Sequence, residues 1–282
     1  MTGCARLLAL VVNLLILRKA IFLAAGMILV LSGFAGTSVE FDSADVPPSK
    51  FKIRLAKQNG LPVPDGTPGL PVKATLTRPD GKGPFPAIVM FSTEGGWKDT
   101  PQHWRKRLND WGYVTLEIGS ETDGPRSWEP TNQVLDAIGA LTYLRKVSYV
   151  DSDRVAVMGW SLGANTALWA IDASSWAGDR EYRFRAAVAI YPSCESVGKF
   201  FSPALIISAE LDDIAKPSGC ERLVNSIPSG SSVPTLKIIP GAFHWFDLPH
   251  RPAQSYDMSY EYNTRATETA IEHVRSFLDA SF

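Results

Sequence analysis

From Val72 onward the chain alternates short apolar runs with stretches in which apolar residues recur every three or four positions. The runs at 72–77, 87–91, 113–118, 155–158, 186–191, 204–208 and 235–239 are predicted as strands. Several are apolar throughout, as strands covered on both faces are. Between them, Val134, Ala137, Ile138, Leu141 and Leu144 form a stripe that can pack a helix onto a sheet, and Ala266, Ala270, Ile271, Val274, Phe277 and Leu278 form another. This alternation predicts an α/β fold with a mainly parallel central sheet flanked by helices on both faces. In a chain of 282 residues without internal repeats, it predicts one domain over 72–282. The preceding 36–71 segment is rich in Pro, Gly, Ser and Asp. It reads as an extension draped on the surface, with one strand at 51–55.

The first 35 residues have a different pattern. An apolar run from Leu7 to Leu17 meets the cations Arg18 and Lys19, a second run extends from Ala20 to Leu31, and the small residues Gly33 and Ala35 follow. Charge, apolar run and small residues in that order predict a secretory signal removed near residue 35, and export to the periplasm or beyond. The alternative is an uncleaved anchor, because the two runs together exceed the ~20 residues that span a bilayer. Membrane contact is expected through this segment only.

Export changes the reading of the cysteines. With Cys4 in the signal, Cys194 and Cys220 remain as an even pair in an oxidising compartment, where a disulfide is expected rather than two buried thiols. Net charge is −1 and the longest basic run is Arg105-Lys106-Arg107, which excludes an electrostatic footprint for nucleic acid. The 3 cysteines and 4 histidines form neither C-x-x-C nor H-E-x-x-H, so neither metal nor cofactor is expected.

The candidate chemistry centres on VAVMGWSLGAN, where a strand runs into Gly159-Trp160-Ser161-Leu162-Gly163 and then into a helix-forming stretch. A nucleophile elbow has this layout, because a serine in a tight strand-to-helix turn needs glycines at its flanks to avoid steric clash. The helix that follows aims its N-terminal N–H groups at any oxyanion formed there. A serine hydroxyl needs a base, and the base needs a carboxylate to fix its tautomer. In this type of site the chain order is Ser, acid, His. His244 follows the predicted strand 235–239 at its carboxyl end, where ligands of open α/β sheets gather. His273 belongs to the terminal helix, His250 lies in an irregular stretch, and His103 precedes the serine. The acid is expected among Glu210, Asp212 and Asp213, just past the strand 204–208. The oxyanion donors are expected to be the backbone N–H of Leu162 and, from the Ser92-Thr93-Glu94-Gly95-Gly96 loop, that of Glu94.

From Gly83 to its end the chain resembles the dienelactone hydrolase family of α/β-hydrolases. The resemblance is carried by GPFPAIVMF, WGYVTLEIGS, VDSDRVAVMGWSLGAN, AAVAIYPSC, PALIISAELDDIAKPSGC and PGAFHWFD, in that order. It implies Ser161 as nucleophile, Asp212 rather than Asp213 as acid, and His244 as base. It also implies a small ester or lactone as substrate, without a cofactor, and adds weight to a Cys194–Cys220 bridge. Members that cleave dienelactones carry Cys as nucleophile, so the family's named substrate is not inherited by a chain with Ser161. Many relatives have a His-Gly pair where this chain has Ser92-Thr93. Trp97, Trp128, Trp160 and Trp245 fall in or beside the expected active-site loops and suit an apolar or aromatic acyl group. Arg126 is a candidate partner for a substrate carboxylate. Thioesterase or peptidase chemistry on the same machinery, or a non-catalytic binding role on the same scaffold, are the competing readings.

Overall fold

A computed structural model of the protein describes residues 36–119, 129–174, 183–195, 198–250 and 258–282. Residues 1–35, where a signal is expected, and Arg126 and Trp128 lie outside the described residues. In chain order the elements are β1 (Thr37–Asp42), α1 (Lys50–Gln58), β2 (Pro71–Thr77), β3 (Phe85–Phe91), α2 (His103–Asp110), β4 (Val114–Ile118), α3 (Pro130–Leu144), β5 (Val150–Trp160), α4 (Leu162–Trp169), β6 (Ala186–Ile190), β7 (Ala204–Ala209), α5 (Pro217–Ser226), β8 (Thr235–Ile239) and α6 (Thr264–Ser281).

Among the described residues, eight strands form one sheet in the order β1-β2-β4-β3-β5-β6-β7-β8. The β1–β2 and β2–β4 pairs are antiparallel, and every pair from β4 to β8 is parallel. Because side chains alternate across a strand, the apolar runs feed two cores at once. Val89, Val157, Ala187 and Ile206 join residues of α3, α4 and α5 in one buried cluster. Ile88, Met90, Met158, Val188 and Ile207 join residues of α2 and α6 in the other. Helices therefore cover both faces, as the sequence pattern predicts.

The segment before Val72 departs from expectation in two ways. Residues 51–55, predicted as a strand, lie within helix α1. Phe51, Ile53 and Leu55 alternate with cations as a strand's residues would, but Ser49 Oγ accepts from Lys52 N at 3.3 Å and caps a helix. Gly60, at φ 63°, ends that helix in the left-handed conformation, and the Leu61 N–H turns back to Ala56 O at 2.9 Å. The helix buries Ala56 and leaves Phe51 and Leu55 exposed, so the alternation never reports a sheet face. Secondly, the segment is not merely draped: β1 extends the sheet, with Val39 paired to Ala74 and Phe41 to Val72. The Phe41 ring stacks on Tyr143 of α3 at 5.3 Å, which ties the edge to the α3 face.

Candidate active site

Strand β5 lies inside the sheet between β3 and β6, and the chain leaves its carboxyl end directly into α4. Ser161 sits at that junction with φ 51° and ψ −113°, a conformation that costs a non-glycine residue about 1–3 kcal/mol. Its backbone is held on both sides. The Ser161 N–H donates to Ile190 O at 2.9 Å, and Ser161 O accepts from Ala164 N at 3.0 Å and Asn165 N at 3.2 Å. The flanking glycines are required sterically. A Cβ on Gly159 would stand 2.1 Å from Gly163 O, and one on Gly163 would stand 2.3 Å from Phe91 O and 2.5 Å from Ser92 O. The second contact brings the loop after β3 against the first turn of α4.

His244 and Asp212 reach the same point from the carboxyl ends of β8 and β7. His244 Nε2 lies 3.0 Å from Ser161 Oγ, and His244 Nδ1 lies 2.6 Å from Asp212 Oδ2. Both the imidazole and the carboxylate are fully buried. Asp212 Oδ1 accepts from Ile214 N at 2.9 Å and from Ala215 N at 2.7 Å, which fixes the carboxylate and leaves Oδ2 for the ring. An ionised Asp212 selects the tautomer with the proton on Nδ1, so that Nε2 can accept the Ser161 hydroxyl proton.

The remaining candidates lie elsewhere. Asp213 Oδ2 accepts from Ser259 N at 3.3 Å at the surface, and Glu210 Oε2 accepts from Gly241 N at 2.8 Å. His250 is exposed, with Nε2 3.1 Å from Lys98 O. Burial, reinforced by Arg107, pushes His103 down to about 4, where it stays neutral beside Trp104. His273, on α6, is lowered by burial and then by Lys237.

For the oxyanion, Leu162 is the first residue of α4, where an N–H has no acceptor within the helix. Glu94 lies exposed in a turn that Gly96 N closes onto Thr93 O at 3.0 Å. The Thr93 N–H is already committed to Thr100 Oγ1 at 3.0 Å.

Of the tryptophans, Trp245 faces the imidazole, with ring centroids 4.6 Å apart. Trp160 is wholly buried, and Trp97 is buried with its Nε1 donating to Ile118 O at 2.9 Å. Both pack into the core rather than lining an open wall. Sequence reasoning did not single out Tyr191 and Asp247. The Tyr191 ring lies 4.6 Å from His244, and its hydroxyl donates to Asp247 Oδ1 at 3.0 Å. The usable signal was an acid three residues past the histidine in the otherwise apolar run AFHWFDL.

The sequence profile of the Dienelactone hydrolase family matches residues 120–282, more than half of the chain. The protein belongs to that family. Members and neighbours share the architecture widely. A dienelactone hydrolase-like promiscuous phosphotriesterase from metagenomic libraries superimposes with a TM-score of 0.65 at 16% identity, over 88% of this chain and 99% of that one. Esterase 2 of Thermogutta terrifontis, in a form phosphoramylated by tabun, gives a TM-score of 0.58 at 16% identity, over 75% of this chain and 90% of that one. In sequence, this dienelactone hydrolase family member is 26% identical over 202 residues to Lipase 1 of a Moraxella species. That match covers 70% of this chain, which thus spans 58% of the lipase's length. Cys194 and Cys220 are joined in a disulfide, with Cα atoms 5.0 Å apart, linking the loop after β6 to helix α5.

Proposed function

We propose that the protein is an exported serine hydrolase that cleaves small carboxylic esters or lactones through an acyl-enzyme. One observation carries this reading: the buried chain Asp212–His244–Ser161, with contacts of 2.6 and 3.0 Å, ends on a serine held in a strained turn. His244 Nε2 takes the proton as Ser161 Oγ attacks the substrate carbonyl carbon. The negative charge that develops on the carbonyl oxygen is met by the Leu162 N–H, with Glu94 on the facing loop as the second donor. The tetrahedral species collapses, the bond to the leaving oxygen breaks, and that oxygen leaves with the proton from His244. A water molecule then repeats the sequence: His244 takes its proton, the acyl–Ser161 bond breaks, and the proton returns to Ser161 Oγ. Asp212 holds the imidazole and stabilises its cationic form throughout.

Family membership and the likeness to esterases and to a lipase support ester chemistry. The Cys194–Cys220 bridge supports an oxidising compartment, in keeping with residues 1–35 as a secretory signal. Among the described residues no helix is long and apolar enough to cross a membrane.

The test is a panel of p-nitrophenyl esters of graded acyl length together with small lactones. Turnover by the wild type, with Ser161→Ala lowering kcat by ~10³-fold or more, is expected. Hydrolysis that survives Ser161→Ala would overturn the assignment, and no turnover of any member of the panel would favour a binding role.

A further inference from the structure

Asp247 is a fully buried carboxylate that the reaction as described does not use. Two buried aromatic donors reach its oxygens. Trp104 Nε1, on α2, donates to Oδ2 at 2.8 Å, and Tyr191 Oη, just past β6, donates to Oδ1 at 3.0 Å. Burying a carboxylate is expensive, so its presence is weak evidence for a stabilising role. What the carboxylate contributes is placement. Asp247 lies three residues after His244, in consecutive turns closed by Phe246 N to Phe243 O at 3.2 Å and by Leu248 N to Trp245 O at 2.9 Å. Trp245, between them, has φ 57°, so this turn is not one the chain adopts freely. Tyr191 is also constrained, with φ 44° and its N–H donating to Ile207 O at 2.6 Å. It directly follows Ile190, whose carbonyl holds the Ser161 N–H. The Tyr191 ring lies 4.6 Å from the imidazole. Asp247 therefore touches the histidine loop through its own backbone and the nucleophile's strand neighbour through Tyr191.

We propose that Asp247 is a positioning residue for the Ser161–His244 pair, anchoring the 243–248 turn to α2 and holding the Tyr191 ring against the imidazole. The proposal rests on the hydrolase reading above. Only the ionised form accepts from both donors without offering a proton of its own, so protonation loosens the arrangement. Burial lifts Asp247 to about 6, against the pull of hydrogen bonds from Trp104, Tyr191, its own backbone N–H and Trp160. Among the described residues, the titratable groups around it are Tyr191 and Tyr260, with Asp212 and His244 beyond Tyr191.

The experiment uses Asp247→Asn and Tyr191→Phe in the full chain. Asparagine can still accept from Trp104 and can donate to the Tyr191 hydroxyl, so it preserves packing but removes the double acceptor. Each variant is expected to lower kcat by ~10-fold or more with KM within about twofold, because small misplacement of a base costs rate rather than binding. The acid side of the kcat profile is expected to lose one proton of steepness in Asp247→Asn, and the downfield Nδ1 proton resonance of His244 is expected to move in both variants. Should Asp247→Asn fail to fold, the isosteric Tyr191→Phe carries the test. Folded variants with unchanged kcat, unchanged profile and an unmoved resonance would overturn the proposal. A wild type that turns over no ester in the panel would instead overturn the hydrolase reading, and the resonance would still decide whether Asp247 places the imidazole.

Discussion

Breaking the Cys194–Cys220 bridge tests how the loop and helix around the acid are held. The bridge closes a sequence separation of 26 residues. In the chain-entropy treatment that closure removes about 12 cal/mol/K from the unfolded ensemble, or about 3.5 kcal/mol at 25 °C. Cys220 is wholly buried and Cys194 nearly so, so alanine at both positions removes packed sulfur and replaces it with little. The double variant Cys194→Ala/Cys220→Ala is expected to lose ~3–4 kcal/mol in urea unfolding. For a domain of this size, that corresponds to a fall in Tm of roughly 7–14 °C. Turnover well below the new Tm is expected to stay within a few-fold of wild type, because Asp212 is oriented independently by the Ile214 and Ala215 N–H groups. Reduced wild type should unfold like the double variant. A change below about 0.5 kcal/mol would refute the reasoning, since it would mean that closing the loop does not restrict the unfolded chain.

Three further predictions follow from the site. Ser161→Ala and His244→Ala act on one proton transfer, so the double variant should be scarcely slower than either single in ester hydrolysis; multiplying losses would show that the two side chains do not work as a unit. Gly163→Ala forces a Cβ to within 2.3 Å of Phe91 O and should cost about 1–3 kcal/mol in denaturant unfolding, along with activity; a variant as stable and active as wild type would show that the β3 loop does not press on α4. Asp247 is raised from 3.8 when unfolded to about 6 when folded, so the native state holds this proton more tightly. Its stabilising contribution is present below the unfolded value and is lost as pH rises through the folded one, by about 3 kcal/mol. Comparing Asp247→Asn with wild type by urea unfolding isolates that share: the difference should move in the variant's favour by this amount from about pH 3.5 to about pH 7.5, and a constant difference would contradict it.

The sheet was legible because β3, β6, β7 and the end of β5 are apolar on both faces while β2, β4 and β8 carry apolar residues largely at alternate positions, and a short stretch of sequence reports either pattern directly. Helices α3 and α6 were legible for the same reason, each carrying one continuous apolar stripe. Helix α1 was not. Its periodic apolar residues, Phe51 and Leu55, point to solvent, so periodicity misled, and the real information lay in Ser49 and Gly60 at its ends. Strand β1 is a short edge strand whose alternation, Val39 and Phe41 against Ser38 and Glu40, is partly exposed and was lost in polar surroundings. At the site, Ser161 and His244 announced themselves through local context, a glycine-flanked turn and a loop past a strand. Asp212 was separated from Asp213 by family resemblance, and geometry then set the two apart: one faces the ring, the other a surface N–H. Tyr191 and Asp247 stayed hidden because their partnership spans 56 residues of sequence and exists only once β6 and the histidine loop meet.

The most direct check on the whole account is a fluorophosphonate probe followed by peptide mass spectrometry of the full chain. A single adduct on the peptide containing Ser161, absent from Ser161→Ala and formed far more slowly in His244→Ala, is the predicted result. Ester hydrolysis proceeding with no adduct, or with the adduct on another residue, would contradict it.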